Sequence, residues 1–301
     1  MSRIRRAAVV TAALLAVGVP GLVAPASAAP AHSARPAPAP LPAPLPAVRT
    51  VDYLPGVQAD VHLPPRRGAS PVPLVVTVPG GGWATADRSG LTQLAEHLAA
   101  RRIAVVNATY RVGDAASRFP VPAQDVRCAV DAAVALVRGA GYRVGPVVLL
   151  GHSAGAHLTS LAAFGDRAFA TTSCPYPLAD VDGWVGLSGV YDLRGIGQWP
   201  WQMMGGTEEE LPDLYASAAT QTYLAPAGSR PHLQALLVQG DADEILPTTA
   251  IATGTAGLLR ERGYRTRVEI LPGVDHNGTF QAATIGPILL DWLRGVRDCH
   301  R

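Results

Sequence analysis

Between about Val48 and Arg301 the chain alternates short apolar runs with longer stretches whose apolar residues recur at helical spacing. The runs Ala59–Leu63, Leu74–Val78, Ile103–Ala108, Val147–Leu150, Gly183–Leu187, Ala235–Val238 and Arg267–Leu271 predict strands. Several are rich in Val, Ile and Leu without polar alternation, the pattern of parallel strands buried on both faces. Helices are predicted near Leu91–Arg101, Pro122–Arg138, Ala154–Phe164, Thr248–Arg262 and Gln281–Arg294. This alternation predicts an α/β fold: a mostly parallel, doubly wound sheet with helices on both faces and right-handed crossovers. One interval breaks the rhythm. Leu193 to Arg230 has no strand pattern and carries Trp199, Trp201, Met203, Met204 and the acidic run Glu208–Glu210. A long excursion between two core strands predicts a short cap or pocket wall over residues 193–230.

Val147-Val-Leu-Leu150 runs directly into Gly151-His152-Ser153-Ala154-Gly155, and an Ala/Leu-rich helical segment follows. The pentapeptide alone is a weak signal, but between a buried strand and a helix it reads as a nucleophile elbow. The turn is so tight that a Cβ at either glycine would clash, and it presents the Ser153 hydroxyl above the carboxyl end of the sheet. A serine hydroxyl needs a base, and an acid to orient that base. His276, in the polar loop Leu271-Pro-Gly-Val-Asp275-His276-Asn-Gly278, is the candidate base. Asp241 and Asp243 compete for the acid at the end of the strand Leu236-Leu-Val-Gln-Gly240. The Gly-x-x-Asp spacing, with Pro247 four residues further on, favours Asp243 and leaves Asp241 as a turn residue bonding its own backbone. Asp275 is the weaker rival, because adjacent side chains seldom meet in the required way.

Leu74-Val-Val-Thr-Val-Pro79-Gly80-Gly81-Gly82-Trp83 places three glycines directly after a buried strand, where backbone N–H groups can approach a ligand closely. Neither phosphate-loop pattern is satisfied. Beside Ser153 the better account is an oxyanion hole, with Gly80 and Gly81 donating from one side and Ala154 from the other. Trp83 and His152 are candidates for the substrate-binding wall, His152 also serving to pack the elbow. His157 is expected to be a satisfied polar neighbour on the following helix. Asp125 and Asp192 are expected to be structural hydrogen-bonders. Asn107-Ala-Thr109 and Asn277-Gly-Thr279 match the glycosylation sequon, the first of them on a predicted core strand.

Taken together, the Gly-Gly-Gly-Trp loop, Gly-His-Ser-Ala-Gly, Gly-x-x-Asp-x-x-x-Pro and the late His276 resemble the α/β-hydrolase fold, and within it the esterases of the hormone-sensitive-lipase and feruloyl/acetyl-esterase-like group. Asn107-Ala-Thr-Tyr110-Arg111, Leu187-Ser-Gly189-Val-Tyr-Asp192 and Gly205-Gly-Thr-Glu208 are further echoes, so the resemblance covers about residues 50–297. It implies a serine carboxylesterase acting on short-chain or polysaccharide-linked esters through a covalent acyl-enzyme, with no metal or organic cofactor. The sequence departs from the group at Pro79, where a loop-supporting His usually stands, and at Ala86-Asp87, where Gly-Asp is usual. An amidase, formamidase or serine peptidase on the same fold is the first alternative. Prolyl-oligopeptidase-like enzymes generally carry a further Gly where Ala156 stands. A non-catalytic binding protein that keeps the fold is the second, and such proteins usually lose a triad member.

Composition adds a location. Of the 301 residues 48% are hydrophobic and 16% charged, which is too apolar for a disordered chain. All 25 basic residues are Arg, and the net charge of +2 leaves no electrostatic footprint for nucleic acid. Arg3, Arg5 and Arg6, the apolar run Ala7–Val19 and the small residues Ala26-Ser27-Ala28 read as a secretory signal over residues 1–28. Its apolar run is too short for a comfortable membrane span, and its removal takes three Arg with it, leaving a nearly neutral chain. Residues 29–48 form a Pro/Ala-rich linker, with prolines from Pro30 to Pro46 spaced for extended polyproline II. Residues 49–301 are then the catalytic domain of a secreted, extracellular protein. In an oxidising compartment one pair among Cys128, Cys174 and Cys299 is expected, and Cys128–Cys174 is favoured because both are placed on the same side of the predicted sheet. No zinc-type spacing is present.

Overall fold

The computed structural model describes residues 48–65, 70–226, 229–230 and 232–298. The expected signal segment, nearly all of the expected linker, Cys299 and His300 lie outside the described residues. Eight strands form one sheet: β1 (Val48–Leu54), β2 (Val57–His62), β3 (Val72–Val78), β4 (Ala104–Ala108), β5 (Val144–His152), β6 (Gly183–Leu187), β7 (Gln234–Gly240) and β8 (Arg265–Leu271). Their order is β1-β2-β4-β3-β5-β6-β7-β8. β1 pairs antiparallel with β2 and β2 antiparallel with β4; every other neighbouring pair is parallel.

The helices are α1 (Thr92–Ala99), α2 (Val121–Gly139), α3 (Ala154–Ser160), α4 (Trp201–Met204), α5 (Pro212–Ser217), α6 (Ala250–Glu261) and α7 (Ala282–Asp298). Leu94 and Leu98 of α1 and Ile285, Leu289 and Leu293 of α7 pack on one face of the sheet, against Val148 and Leu150 of β5. α2, α3 and α6 cover the other face through residues such as Val126, Val130, Leu158 and Leu259, against Val147 and Leu149. Consecutive residues of β5 thus enter opposite cores, which is why Val147–Leu150 is apolar without interruption. Among the described residues the excursion after β6 holds the short helices α4 and α5 and a 3-10 turn at Thr220–Tyr223, and no helix is long and apolar enough to cross a membrane.

Cys128 on α2 is bonded to Cys174, with Cα atoms 5.6 Å apart, as the placement of both on one side of the sheet suggested. The bridge lies beside a buried ion cluster. Arg127 is fully buried and donates to Asp131, to the Ala179 carbonyl (2.7 Å) and to Asp166 (3.4 Å). A guanidinium in such a place needs these partners, because an unpaired buried charge is strongly destabilising.

Candidate active site

Ser153 sits between the end of β5 and the start of α3 with φ +53° and ψ −122°, a conformation a non-glycine residue adopts only when its surroundings enforce it. They do so here. A Cβ on Gly151 would lie 2.2 Å from the Gly155 carbonyl oxygen, and a Cβ on Gly155 would lie 2.4 Å from that of Pro79. The Ser153 N–H donates to the Leu187 carbonyl at 2.9 Å, tying the elbow to the end of β6.

The candidate acid and base arrive from β7 and β8. A Cβ on Gly240 would stand 2.0 Å from the Val274 oxygen, so the two strand ends approach backbone to backbone. Asp241 N–H donates to Leu271 and Ala242 N–H to Val274, both at 3.1 Å. Asp241 does not bond its own backbone: its Oδ1 accepts the Gly273 N–H at 2.6 Å and so braces the histidine loop. Asp275 is likewise engaged elsewhere, its Oδ1 accepting from the Gly278 N–H at 2.6 Å.

The loops bring Asp243 and His276 together, with Nδ1 2.8 Å from Oδ2. Asp243 is buried and fully partnered. Oδ1 accepts the N–H groups of Ile245 (3.0 Å) and Leu246 (2.8 Å), and Oδ2 also accepts from Gln239 Nε2 (2.8 Å). Burial alone would raise its pKa, but the Leu246 N–H, the His276 ring and the Ser188 hydroxyl outweigh it and hold the carboxyl below its usual value. An ionised Asp243 keeps the proton of His276 on Nδ1 and leaves Nε2 as the acceptor.

Ser153 and His276 line one cavity of about 450 Å³, together with Gly80, Gly81, Trp199 and Ile245. Its apolar wall also includes Leu91 and Phe280, which the sequence reading did not single out. The Ser153 hydroxyl makes no hydrogen bond among the described residues; such contacts often tighten only when substrate is bound. The glycine loop passes directly over Ser153, since a Cβ on Gly80 would lie 2.9 Å from the Ser153 Cβ. Among the described residues the Gly80 and Gly81 N–H groups have no intramolecular acceptor, while the Gly81 carbonyl accepts from Ala84 and Thr85.

His152 also reaches the cavity, and its ring joins three parts of the site. Its Nε2 donates to the His276 carbonyl at 3.0 Å, its ring lies 4.7 Å from that of His276, and Nδ1 faces Gly80. Trp83 is not in the cavity wall; it is buried, and its indole N–H donates to His157 Nδ1 at 3.2 Å. Asp125 accepts from Arg111 and Asp192 from Arg194, both as structural partners. Asn107 is buried and donates to the Arg88 carbonyl, whereas Asn277 lines the cavity. No group of three or more His, Cys, Asp or Glu side chains among the described residues could hold a metal ion.

Two buried histidines give the fold a pH dependence. Burial pushes His152 down to about 4, helped by the neighbouring His276, and burial alone pushes His157 down to about 4. Unfolded, each would titrate near 6.5, so between these values the unfolded chain binds more protons than the folded one. The stabilisation is complete above pH 6.5 and is lost as pH falls towards 4. At pH 5 each ring costs about 2 kcal/mol relative to pH 7.5. Urea unfolding should show less stability at pH 5 than at pH 7.5, by about 4 kcal/mol from these two rings, with His62 and His97, also lowered by burial, adding in the same direction; a difference under about 1 kcal/mol would mean that these rings are not buried neutral.

A mostly parallel sheet, a glycine-flanked serine on a strand–turn–helix elbow and an acid–histidine pair after the last two strands define an α/β-hydrolase. The BD-FAE family model matches residues 59–252, and the chain belongs to that family of α/β-hydrolase esterases. No curated protein matches the sequence. Among solved structures, a bifunctional GH43-CE protein of Bacteroides eggerthii is 23% identical over 81% of this chain, with a TM-score of 0.69. The chain spans about a third of that protein's length, 34%. A truncated carbohydrate esterase from gut microbiota is 17% identical, covers 85% of this chain and 99% of its own, and has a TM-score of 0.74. A thermophilic esterase of the planctomycete Thermogutta terrifontis is 18% identical over 83% of this chain and 91% of its own, with a TM-score of 0.61.

Proposed function

We propose that the protein is a secreted serine carboxylesterase that works by acyl transfer on short-chain or polysaccharide-linked esters. The observation that carries the reading is the 2.8 Å Asp243–His276 pair in a cavity shared with Ser153 and the glycine loop. Ser153 Oγ attacks the ester carbonyl as its proton passes to His276 Nε2. The carbonyl oxygen becomes an oxyanion held by the N–H groups of Gly80, Gly81 and Ala154, each worth roughly 3 kcal/mol in the transition state. As the C–O bond to the alcohol breaks, His276 returns the proton to the leaving oxygen. Water then attacks the acyl-serine with His276 again as base, and the acid departs with Ser153 restored. The signal-like N-terminus supports secretion, and the carbohydrate-esterase relatives support a polysaccharide-linked alcohol.

The test is turnover of p-nitrophenyl acetate, butyrate and octanoate and of an aryl formamide, alongside labelling with a fluorophosphonate probe. Rates falling from acetate to octanoate, and a label mapped by mass spectrometry to Ser153, are expected. A label on another residue removes the proposed nucleophile. Cleavage of the formamide without ester turnover replaces the esterase reading with an amidase.

A further inference from the structure

The glycine loop carries the oxyanion donors and has no regular element of its own to stiffen it. Gly81, Gly82 and Trp83 have successive φ values of +130°, +59° and +59°. For a bulky residue such as Trp83 this conformation costs about 1 kcal/mol or more, so something must hold it. The holding contact is on the side away from the cavity. Trp83 is only 3% exposed, and its indole N–H donates to Nδ1 of His157 at 3.2 Å with the rings edge-on at 5.5 Å.

An indole N–H can only donate, so Nδ1 of His157 carries no proton. Nε2 of the same ring lies 2.7 Å from the Ala218 carbonyl oxygen, which can only accept, so the proton is there. The two neighbours fix one neutral tautomer in a completely buried ring. His157 lies on α3, one turn after the nucleophile, and its own N–H donates to the Ser153 carbonyl at 3.2 Å. At the other end of the loop Gly155 presses against the carbonyls of Val78 and Pro79. The helix that carries Ser153 therefore grips the donor loop both at its root and beyond its last glycine.

We propose that Trp83 and His157 are positioning residues, forming with the Ala218 carbonyl a strut that sets the Gly80 and Gly81 N–H groups relative to Ser153. The strut also explains how the loop keeps its shape with Pro79 at its start. Because it acts on donors to the developing oxyanion and touches no substrate, its loss lowers kcat and leaves KM nearly alone. The inference rests on the serine-esterase reading.

Trp83→Phe removes the indole N–H and keeps most of the ring, His157→Leu removes both ring partners, and His157→Gln keeps one acceptor and one donor. Kinetics on p-nitrophenyl acetate at 25 °C and thermal unfolding should be measured for each and for the Trp83→Phe/His157→Leu double variant, and the Trp83 indole N–H signal in 1H–15N spectra for the parent and the two His157 variants. About tenfold lower kcat is expected in each disruptive single variant, with KM within twofold, and a double variant no worse than the poorer single. His157→Gln should stay within about threefold of the parent, and the indole N–H should lose its protection from exchange in His157→Leu. Lower unfolding temperatures with unchanged kcat would show that the pair only packs, and multiplicative losses would show that the two residues act separately; either overturns the strut. A parent protein without ester turnover, or a Ser153→Ala variant as active as the parent, instead overturns the serine-esterase reading and the strut's catalytic role with it.

Discussion

Ser153→Ala is expected to lower kcat roughly 10⁶-fold on p-nitrophenyl acetate while the protein folds as before. The fold has little reason to respond. The Ser153 side chain makes no hydrogen bond among the described residues, and the bond that locks the elbow is made by its backbone N–H to Leu187. Alanine carries the same Cβ, so the strain at φ +53° is neither relieved nor increased. What disappears is the hydroxyl that, in the proposed mechanism, His276 activates. The residual rate should still exceed that in water by 10³–10⁴, because donors and binding survive the loss of a nucleophile. Circular dichroism and thermal unfolding beside the assay separate the two effects. A folded variant that retains more than about 1% of the activity would place the nucleophile elsewhere.

Much of this site is legible in the sequence because its parts are local. The buried strands β3, β5 and β6 announce themselves by their Val- and Leu-rich runs, and β3 and β5 each lead into a glycine-rich turn that gains its meaning from the strand before it. β1 escaped such a reading. It is an edge strand, its first residues are exposed, and it follows a proline-rich stretch that masks its start. The helix expected to run to Phe164 does so with a change of pitch, α3 giving way to a wider π turn over Leu161–Gly165, and nothing in the residue pattern marks that switch. The role of Trp83 was illegible for a different reason. It is settled by one contact across a long sequence separation, the 74 residues from Trp83 to His157. It follows the glycine loop directly, which suggested contact with substrate. The indole of Trp83 instead turns inward, where its N–H finds a buried acceptor. Asp241 repeats the lesson, since its partner Gly273 lies on the histidine loop and not in its own turn.

The two acids after β7 separate most sharply on substitution by Asn. In Asp243→Asn the side-chain oxygen can still accept the N–H groups of Ile245 and Leu246, so the turn survives. The new amide nitrogen would face Gln239 Nε2 and His276 Nδ1, donors where an acceptor stood. Gln239 can adjust: its Oε1 is buried without a partner, and turning the amide over makes it the acceptor. His276 can adjust only by moving its proton to Nε2, which keeps the ring bonded but removes the base that Ser153 needs. A folded protein with kcat lowered about 10⁴-fold is the expected result. Asp241→Asn keeps an oxygen for the Gly273 N–H and changes nothing that His276 touches, so activity should stay within about threefold. Both variants assayed on p-nitrophenyl acetate at pH 7.5, with thermal unfolding alongside, decide the assignment. If Asp241→Asn shows the large loss and Asp243→Asn the small one, the acid is Asp241, and the four hydrogen bonds that surround Asp243 serve the turn alone.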